Sequence, residues 1–173
     1  LAAIAASVVG ASVAVGWRSG RPAQAAIPVV AVRPFKTLAD ASKEYVGSGL
    51  SEEIRGQLSK ISSIRLLSRG AVERYGDGDD RRLAAELGVG KVVGGTVRIE
   101  NDRVRVSVQL TDAKTEQTIW AEQYDRPIVD ILGVESDVAV KIASALQTTL
   151  TTGERRRVGK RPTENAAAYE LYL

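Results

Sequence analysis

The stretch from Lys91 to Arg126 constrains the fold most, because it contains three apolar–polar alternations joined by turn residues. In Asp102–Leu110, apolar side chains at every second position alternate with polar ones, which is typical of a strand with one buried face. Asn101-Asp102 separates this run from Val92–Ile99, and both residue types tolerate the left-handed backbone of a two-residue hairpin. A third run, Thr118–Tyr124, follows a second polar turn. The sequence therefore predicts an antiparallel meander.

The residues before the meander predict a strand–helix–strand unit. Ile27–Phe35 is almost continuously apolar, as in a strand buried on both faces. Apolar residues at helical spacing follow in Leu50–Ile61, and Ile64–Leu67 predicts the next strand. This order normally gives a parallel pair with a right-handed crossover. Within the meander, Gly94-Gly95 indicates a bulge or close packing under a helix.

Two more helices complete the predicted fold. One ends at Gly88, a natural left-handed terminator. The other begins at Pro127 and repeats an apolar residue at every fourth position as far as Leu150. The order β, α, β, α, β, β, β, α predicts an α/β domain over residues 27–150. Its mixed sheet has a βαβ first half, an antiparallel meander as its second half, and helices packed on the sheet.

Residues 1–17 contain no charged side chain and resemble the end of a membrane-spanning helix, although a complete span needs about 20 apolar residues. A secretory signal is a second interpretation, because Ala23-Gln24-Ala25 resembles a cleavage site, but Arg18 and Arg21 precede that site. A soluble alanine-rich helix is a third. We favour a partial transmembrane helix, followed by a linker at 18–26. Charge alone leaves its orientation open.

Positive charge is concentrated near the carboxyl terminus. The formal net charge is +3, and Glu154–Arg161 alone carries five positive and one negative side chain. Because this excess is local and not spread along a domain, we predict no nucleic-acid binding by the segment. We assign residues 151–163 to a charged linker and residues 164–173 to the start of another helix.

The chain contains no histidine and no cysteine. This excludes a thiol nucleophile, an imidazole base, thiolate or imidazole metal ligands and disulfides. Gly47-Ser48-Gly49 precedes a helix, but the following pair Glu52-Glu53 would repel a phosphate, so a flexible helix entry is favoured. Turn and capping preferences explain Asp77, Asp79 and Asp80 better than a calcium loop does. We predict no catalytic residue, no cofactor and no metal.

Seven short segments carry a family resemblance. They are Val29–Phe35, Gly49–Ile54, Ala85–Val89, Gly95–Arg98, Arg103–Val106, Gln109–Ala113 and Ile119–Arg126. In this order they resemble TolB amino-terminal-like domains of bacterial membrane-anchored signalling proteins. The resemblance covers about residues 27–150. Residues 161–173 resemble the entry to the tetratricopeptide repeats that commonly follow such domains, so 164–173 would be their first helix.

This resemblance implies an extracytoplasmic α/β domain placed after a transmembrane helix. In relatives, the cytoplasmic effector is a class III adenylate or guanylate cyclase, a winged-helix DNA-binding domain or a serine/threonine kinase, and none of these lies in this sequence. Family members usually carry an acidic residue in place of Ser48 and a glycine in place of Glu116. The implied location is the bacterial inner membrane, with the soluble domain in the periplasm.

We therefore predict a non-catalytic sensor or protein-interaction domain that binds protein partners on the envelope side and is attached to the membrane by residues 1–17. An alternative is a periplasmic small-molecule binding module that uses the crevice at the strand ends. The sequence also leaves room for a homodimer. Trp120 and Tyr124 share a strand face, which suits a ligand platform or ordinary packing. The candidate interaction residues are Ser48, Arg103, Arg105, Trp120 and Tyr124.

Overall fold

A computed structural model of the chain describes residues 27–38, 43, 45–76, 78–101, 103–127, 133–148 and 150–158. The predicted transmembrane helix, the linker at 18–26 and the predicted repeat helix at 164–173 lie outside these ranges. The described elements, in chain order, are β1 (Val29–Val32), β2 (Lys36–Leu38), α1 (Tyr45–Leu58), β3 (Arg65–Leu66), α2 (Arg69–Glu73), α3 (Asp80–Leu87), β4 (Lys91–Glu100), β5 (Arg103–Asp112), β6 (Thr118–Pro127), α4 (Val134–Ala145) and α5 (Thr152–Val158).

The six described strands form one mixed sheet, with the order β3-β1-β4-β5-β6 and with β2 beside β4. Strand β1 pairs in parallel with both β3 and β4. The chain therefore crosses over in two opposite directions, and right-handed crossovers of this kind place α1 on one face and α2 and α3 on the other. The buried side chains form two matching clusters, a larger one with α1 and α4 and a smaller one with α2 and α3. The predicted mixed α/β class is confirmed.

The meander has the predicted strands and the predicted hairpin. Strands β4 and β5 pair as far as Glu100 opposite Arg103, which leaves a two-residue turn. Asn101 in that turn has a φ of 52°, in the left-handed region. The apolar residues of β5 are at most 2% exposed under the larger helix cluster, namely Val104, Val106, Val108 and Leu110. Strand β6 continues the antiparallel pairing.

Strands β1 and β2 behave as one interrupted strand beside β4. Val32 stands opposite Val93 and Lys36 stands opposite Thr96, so the three residues 33–35 face only Gly94-Gly95. An extra residue on one strand is a β-bulge. The sequence predicted one strand over 27–35 and did not predict β2, because Pro34 ends the apolar run and the second pairing depends on the distant β4.

Strand β6 extends further than the sequence predicts. Its last residue is Pro127, which we expected to begin the final helix, whereas α4 starts at Val134. A proline lacks the N–H that a central strand needs, but it is tolerated on an edge strand. Since β6 is the last strand in the order, Pro127 occupies such an edge. Within the described ranges, no helix has the length and hydropathy to cross a bilayer.

Helix α5 corrects the linker that we predicted over residues 151–163. Its Glu154 is only 3% exposed, and Val158 is fully buried. The Glu154 carboxylate accepts bonds from the backbone N and Oγ of Ser62 (2.8 and 2.7 Å) and of Thr151 (2.9 and 2.8 Å). The Ser62 and Thr151 N–H groups, together with both hydroxyls, lower the pKa of Glu154 to about 2. Helix α5 therefore belongs to the folded domain.

Candidate interaction surface

The helices cover the two faces of the sheet unequally. Helices α1 and α4 pack on one face, with α5 packed against these two helices, whereas α2 and α3 pack on the other face only near β1 and the start of β4. Most of that second face has no helix on it within the described residues. We call it the open face. Its side chains are exposed or half-buried and come from alternate positions of β4, β5 and β6: Thr96, Arg98, Arg103, Arg105, Ser107, Gln109, Ala121, Gln123 and Asp125.

A groove of about 660 Å³ lies on the open face beside the bulge. Its lining includes Pro34, Thr96, Ser107, Gln109 and Gln123, together with the charged residues Arg33, Lys36 and Asp80. The groove therefore combines hydroxyl and amide groups with charged ones. The groove begins at the carboxyl end of β1, where the chain leaves towards β3 on one side and the next crossover returns past β1 to β4 on the other. Ligands of open α/β sheets bind at such switch points. The groove is therefore a crevice at a strand end. A small-molecule binding module, the alternative that the sequence leaves open, requires a crevice at this place.

An ion pair holds one wall of the groove. Arg33 Nε donates to Asp80 Oδ1 at 2.7 Å, and Arg33 Nη1 donates to the carbonyl oxygen of Tyr75 at 3.2 Å. The two charged side chains are only 12% and 20% exposed. A pair that is this well buried fixes the bulge against the start of α3. The ion pair therefore connects the bulge to the start of α3 along this wall of the groove.

Arginine side chains surround a single aspartate at the far end of the open face. Arg103 Nε and Arg105 Nη2 donate to the two carboxylate oxygens of Asp125 at 2.9 and 3.0 Å. These guanidinium groups, Arg105 first, lower the pKa of Asp125. Arg98 stands directly opposite Arg105 in the sheet register. Arg103 and Arg105 thus lie on an exposed surface, and their role in binding a partner stays a prediction.

Two of the predicted site residues lie on the opposite, helix-covered face. Trp120 pairs with Leu110 and Tyr124 pairs with Val106, both of which belong to the larger buried cluster. Tyr124 is 6% exposed, and the Nζ of Lys141 lies 5.8 Å from its ring centroid. Burial raises the pKa of the Tyr124 hydroxyl. Tyr124 is therefore a packing residue and not a surface residue, because α4 covers the face to which it points.

Ser48 lies at a third place, in the first turn of α1. Its Oγ donates to the carbonyl oxygen of Tyr45 at 2.9 Å, where the helix begins. The preceding Gly47 is tightly packed, since a Cβ there would lie 2.5 Å from the carbonyl oxygen of Phe35. The glycine–serine–glycine segment is therefore a close-packed helix start and not the flexible entry that we expected. The five predicted site residues do not form one site.

The sequence alone does not predict the uncharged groove residues. Ser107 and Gln109 have the same strand parity as Arg103 and Arg105, which was the available signal. The apolar–polar alternation of β5 indicates only that one side of the strand faces solvent. It does not show that a bulge on a distant strand creates a groove there. No group of three or more acidic residues within the described ranges is placed to hold a metal ion.

Comparison with known sequences identifies a bacterial relative. No protein-family model matches the chain. The chain is 36% identical over 155 residues to the Rhizobium meliloti (strain 1021) protein named "Putative adenylate cyclase 3". The match covers 88% of this chain and 26% of that protein. The chain therefore spans about a quarter of the length of this relative.

Solved structures share the fold. TolB from Acinetobacter baumannii matches 69% of this chain and 28% of its own, with a TM-score of 0.53 and 20% sequence identity. Lipoprotein GNA1162 from Neisseria meningitidis matches 71% of this chain and 99% of its own, with a TM-score of 0.50 and 14% identity. At such identities the likeness concerns the fold alone. The TolB-like fold that the sequence resemblance implies is confirmed.

Proposed function

We propose that this chain is a non-catalytic protein-interaction domain on the extracytoplasmic side of the bacterial inner membrane. It belongs to a membrane-anchored signal transducer whose effector is a class III adenylate cyclase. The name of the Rhizobium meliloti protein supports the effector, and the part of that protein outside the match leaves room for it. Anchoring by residues 1–17 and a repeat array starting at 164–173 belong to the same proposal.

The open face is the observation that carries this proposal. An antiparallel sheet needs a hydrophobic cover on only one face, and the other can face water. Here that second face has a groove with amide and hydroxyl groups and a wall fixed by the Arg33–Asp80 ion pair. A surface that is already rigid loses little conformational entropy when a partner binds. The open face is therefore suited to holding a partner.

Site-specific photo-crosslinking in bacteria tests the interaction. A photoreactive residue replaces Gln109 in the groove of the full-length protein, and the control carries it at Lys114, which is exposed in the β5–β6 turn. We expect a discrete protein adduct from position 109 and none from position 114. Equal adducts from both positions, or none from position 109, would contradict a protein partner on the open face.

The absence of cysteine from these 173 residues allows a test of membrane side. A Lys114→Cys variant of the full-length protein adds one exposed thiol within this chain, and the unsubstituted full-length protein measures the labelling of any thiol elsewhere. A membrane-impermeant maleimide should label it in intact spheroplasts as fully as after lysis. Labelling that appears only after lysis would place the domain in the cytoplasm and overturn the extracytoplasmic assignment.

The groove at the switch point favours a small polar ligand as the second candidate function. A ligand that binds only the folded state raises the melting temperature by mass action. A thermal-shift screen of polar metabolites against the full chain, repeated with Gln109→Trp to fill the groove, tests this. A shift that Gln109→Trp abolishes supports the small-molecule function, and the absence of any shift across the screen counts against it.

A further inference from the structure

Strand β6 forms a long edge of the sheet. It has ten residues and ends the strand order, whereas β3 at the opposite edge has only two residues. In the part of the chain that the structure describes, no strand pairs with the outer side of β6. An exposed edge of this length presents unpaired backbone groups to another strand, and proteins usually shorten or cover such edges. Because the exposed edge of β6 is this long, we expect it to pair with another strand.

The charges on β6 are arranged symmetrically about its buried tyrosine. Glu122 lies two residues before Tyr124, and Arg126 lies two residues after it, so all three point to the helix-covered face. If two β6 strands pair antiparallel with Tyr124 at the centre, Glu122 of each copy faces Arg126 of the other. Opposite charges at directly opposed positions stabilise a strand pair.

Other two-fold registers lack this match. If the pairing were centred on Glu122, the Glu122 carboxylates of the two copies would stand directly opposite each other. A pairing centred on Asp125 would place the two Asp125 carboxylates opposite each other in the same way. Centres at Ala121 or Gln123 bring no opposite charges together. Among centres from Ala121 to Asp125, Tyr124 alone gives complementary charges. Complementarity under a two-fold axis favours an identical strand as the partner.

The local contacts of the two charged residues agree with this pairing. Arg126 is exposed and has no ion-pair partner among the described residues. Glu122 already pairs with Lys141 of α4, which holds its carboxylate in place beside the edge. Pro127 lacks an N–H group, but it is the last residue of β6 and removes only a terminal donor.

We propose that β6 pairs with β6 of a second copy of this chain, antiparallel and centred on Tyr124. The contact is self-complementary, as a two-fold dimer interface must be. One continuous sheet then runs through both copies, with the helix-covered faces on one side and the two open faces on the other. This dimer goes beyond the proposed function and does not depend on it.

Disulfide trapping tests the register in the full chain, which has no cysteine of its own. In the proposed pairing, Gln123 of one copy faces Asp125 of the other, at a separation within reach of a disulfide. A mixture of Gln123→Cys and Asp125→Cys chains should form the crosslinked dimer about tenfold faster than a mixture of Gln109→Cys and Asp125→Cys. Gln109 is the control because it lies on the same face, one strand inward. Equal rates for the two mixtures would overturn the pairing.

A charge reversal tests the same contact by a second route. Arg126→Glu places a glutamate opposite Glu122 of the other copy at two positions in the dimer. This like-charge contact should weaken self-association by about tenfold in sedimentation measurements. Arg81→Glu makes the same change in net charge at an exposed site on α3, and we expect its effect to stay within about twofold. Arg126 is exposed, so thermal melting should show an intact fold. Association that Arg126→Glu leaves unchanged would refute the dimer.

Discussion

Replacing Gly95 with alanine would test how the bulge is packed. A Cβ at this position would overlap the carbonyl oxygen of Ser107 and lie 2.8 Å from Cε2 of Phe35. Heavy atoms in good contact are about 3.5–4.0 Å apart. Ser107 is held in the β4–β5 pairing and Phe35 is only 4% exposed. Neither neighbour can move away without disturbing the sheet or the core.

The size of the effect follows from these contacts. Overpacking a core costs about 1–3 kcal/mol. Since one of the two neighbours of Gly95 is a backbone oxygen, we expect the upper part of that range, about 2–3 kcal/mol. In a folded region of this size, about 4 °C of melting temperature corresponds to 1 kcal/mol, so Gly95→Ala should lower Tm by about 8–12 °C.

The adjacent Gly94 provides the matched control. A Cβ there would meet no heavy atom within 4 Å. Alanine should therefore be neutral or should stabilise the fold by up to about 1 kcal/mol, because glycine is entropically costly inside a strand. Thermal and urea unfolding of the two variants measures the difference. If Gly95→Ala melted within about 2 °C of Gly94→Ala, the packing of Phe35 beneath position 95 would be wrong.

Three further predictions concern the turn, helix α5 and the wall of the groove. Glu116 has a φ of 60°, so Glu116→Gly should relieve about 1 kcal/mol of backbone strain and raise the urea midpoint; a lower midpoint would refute this. The pKa of Glu154 is lowered to about 2 in the folded state, so its stabilisation is complete above pH of about 4.5 and is lost as the pH falls towards 2. Urea unfolding between these pH values should show this decline, and Glu154→Gln should flatten it. Asp80→Ala leaves the guanidinium of Arg33 without its carboxylate and should cost about 2–3 kcal/mol, whereas Asp79→Ala removes only the more exposed pair with Arg82 and should cost less than about 1 kcal/mol. Equal urea midpoints for these two variants would contradict the assigned ion pair.

The sequence predicts the meander well because the period of two is local to each strand. It also shows that Arg103 and Arg105 point away from the buried valines. The same pattern cannot show which helix covers which face, and for that reason it leaves Tyr124 open between a ligand platform and ordinary packing. Likewise, charge spacing around Glu154 cannot show that Ser62, which is distant in the chain, supplies its hydrogen bonds.

The groove depends on parts of the chain that are far apart. Its lining comes from the bulge after β1, the start of α3 and three strands of the meander. Gly94-Gly95 correctly indicates a bulge, although the extra residue lies on the opposite strand. Gly95 is closely packed, but against Phe35 and the Ser107 carbonyl oxygen and not under a helix. The sequence does not predict the pairing of β2 with β4, and without that pairing the sequence pattern does not indicate a groove.

Cellular cyclic AMP measures the central claim most directly, since it reports both the open face and the proposed effector. The full-length protein would carry Gln109→Trp, which fills the groove, and would be compared with Lys114→Trp, which adds the same bulk in the exposed β5–β6 turn. We expect Gln109→Trp to change the cyclic AMP level severalfold at equal protein abundance, and Lys114→Trp to leave it unchanged. If cyclic AMP stays at the unmodified level in both variants, the open face does not control an adenylate cyclase.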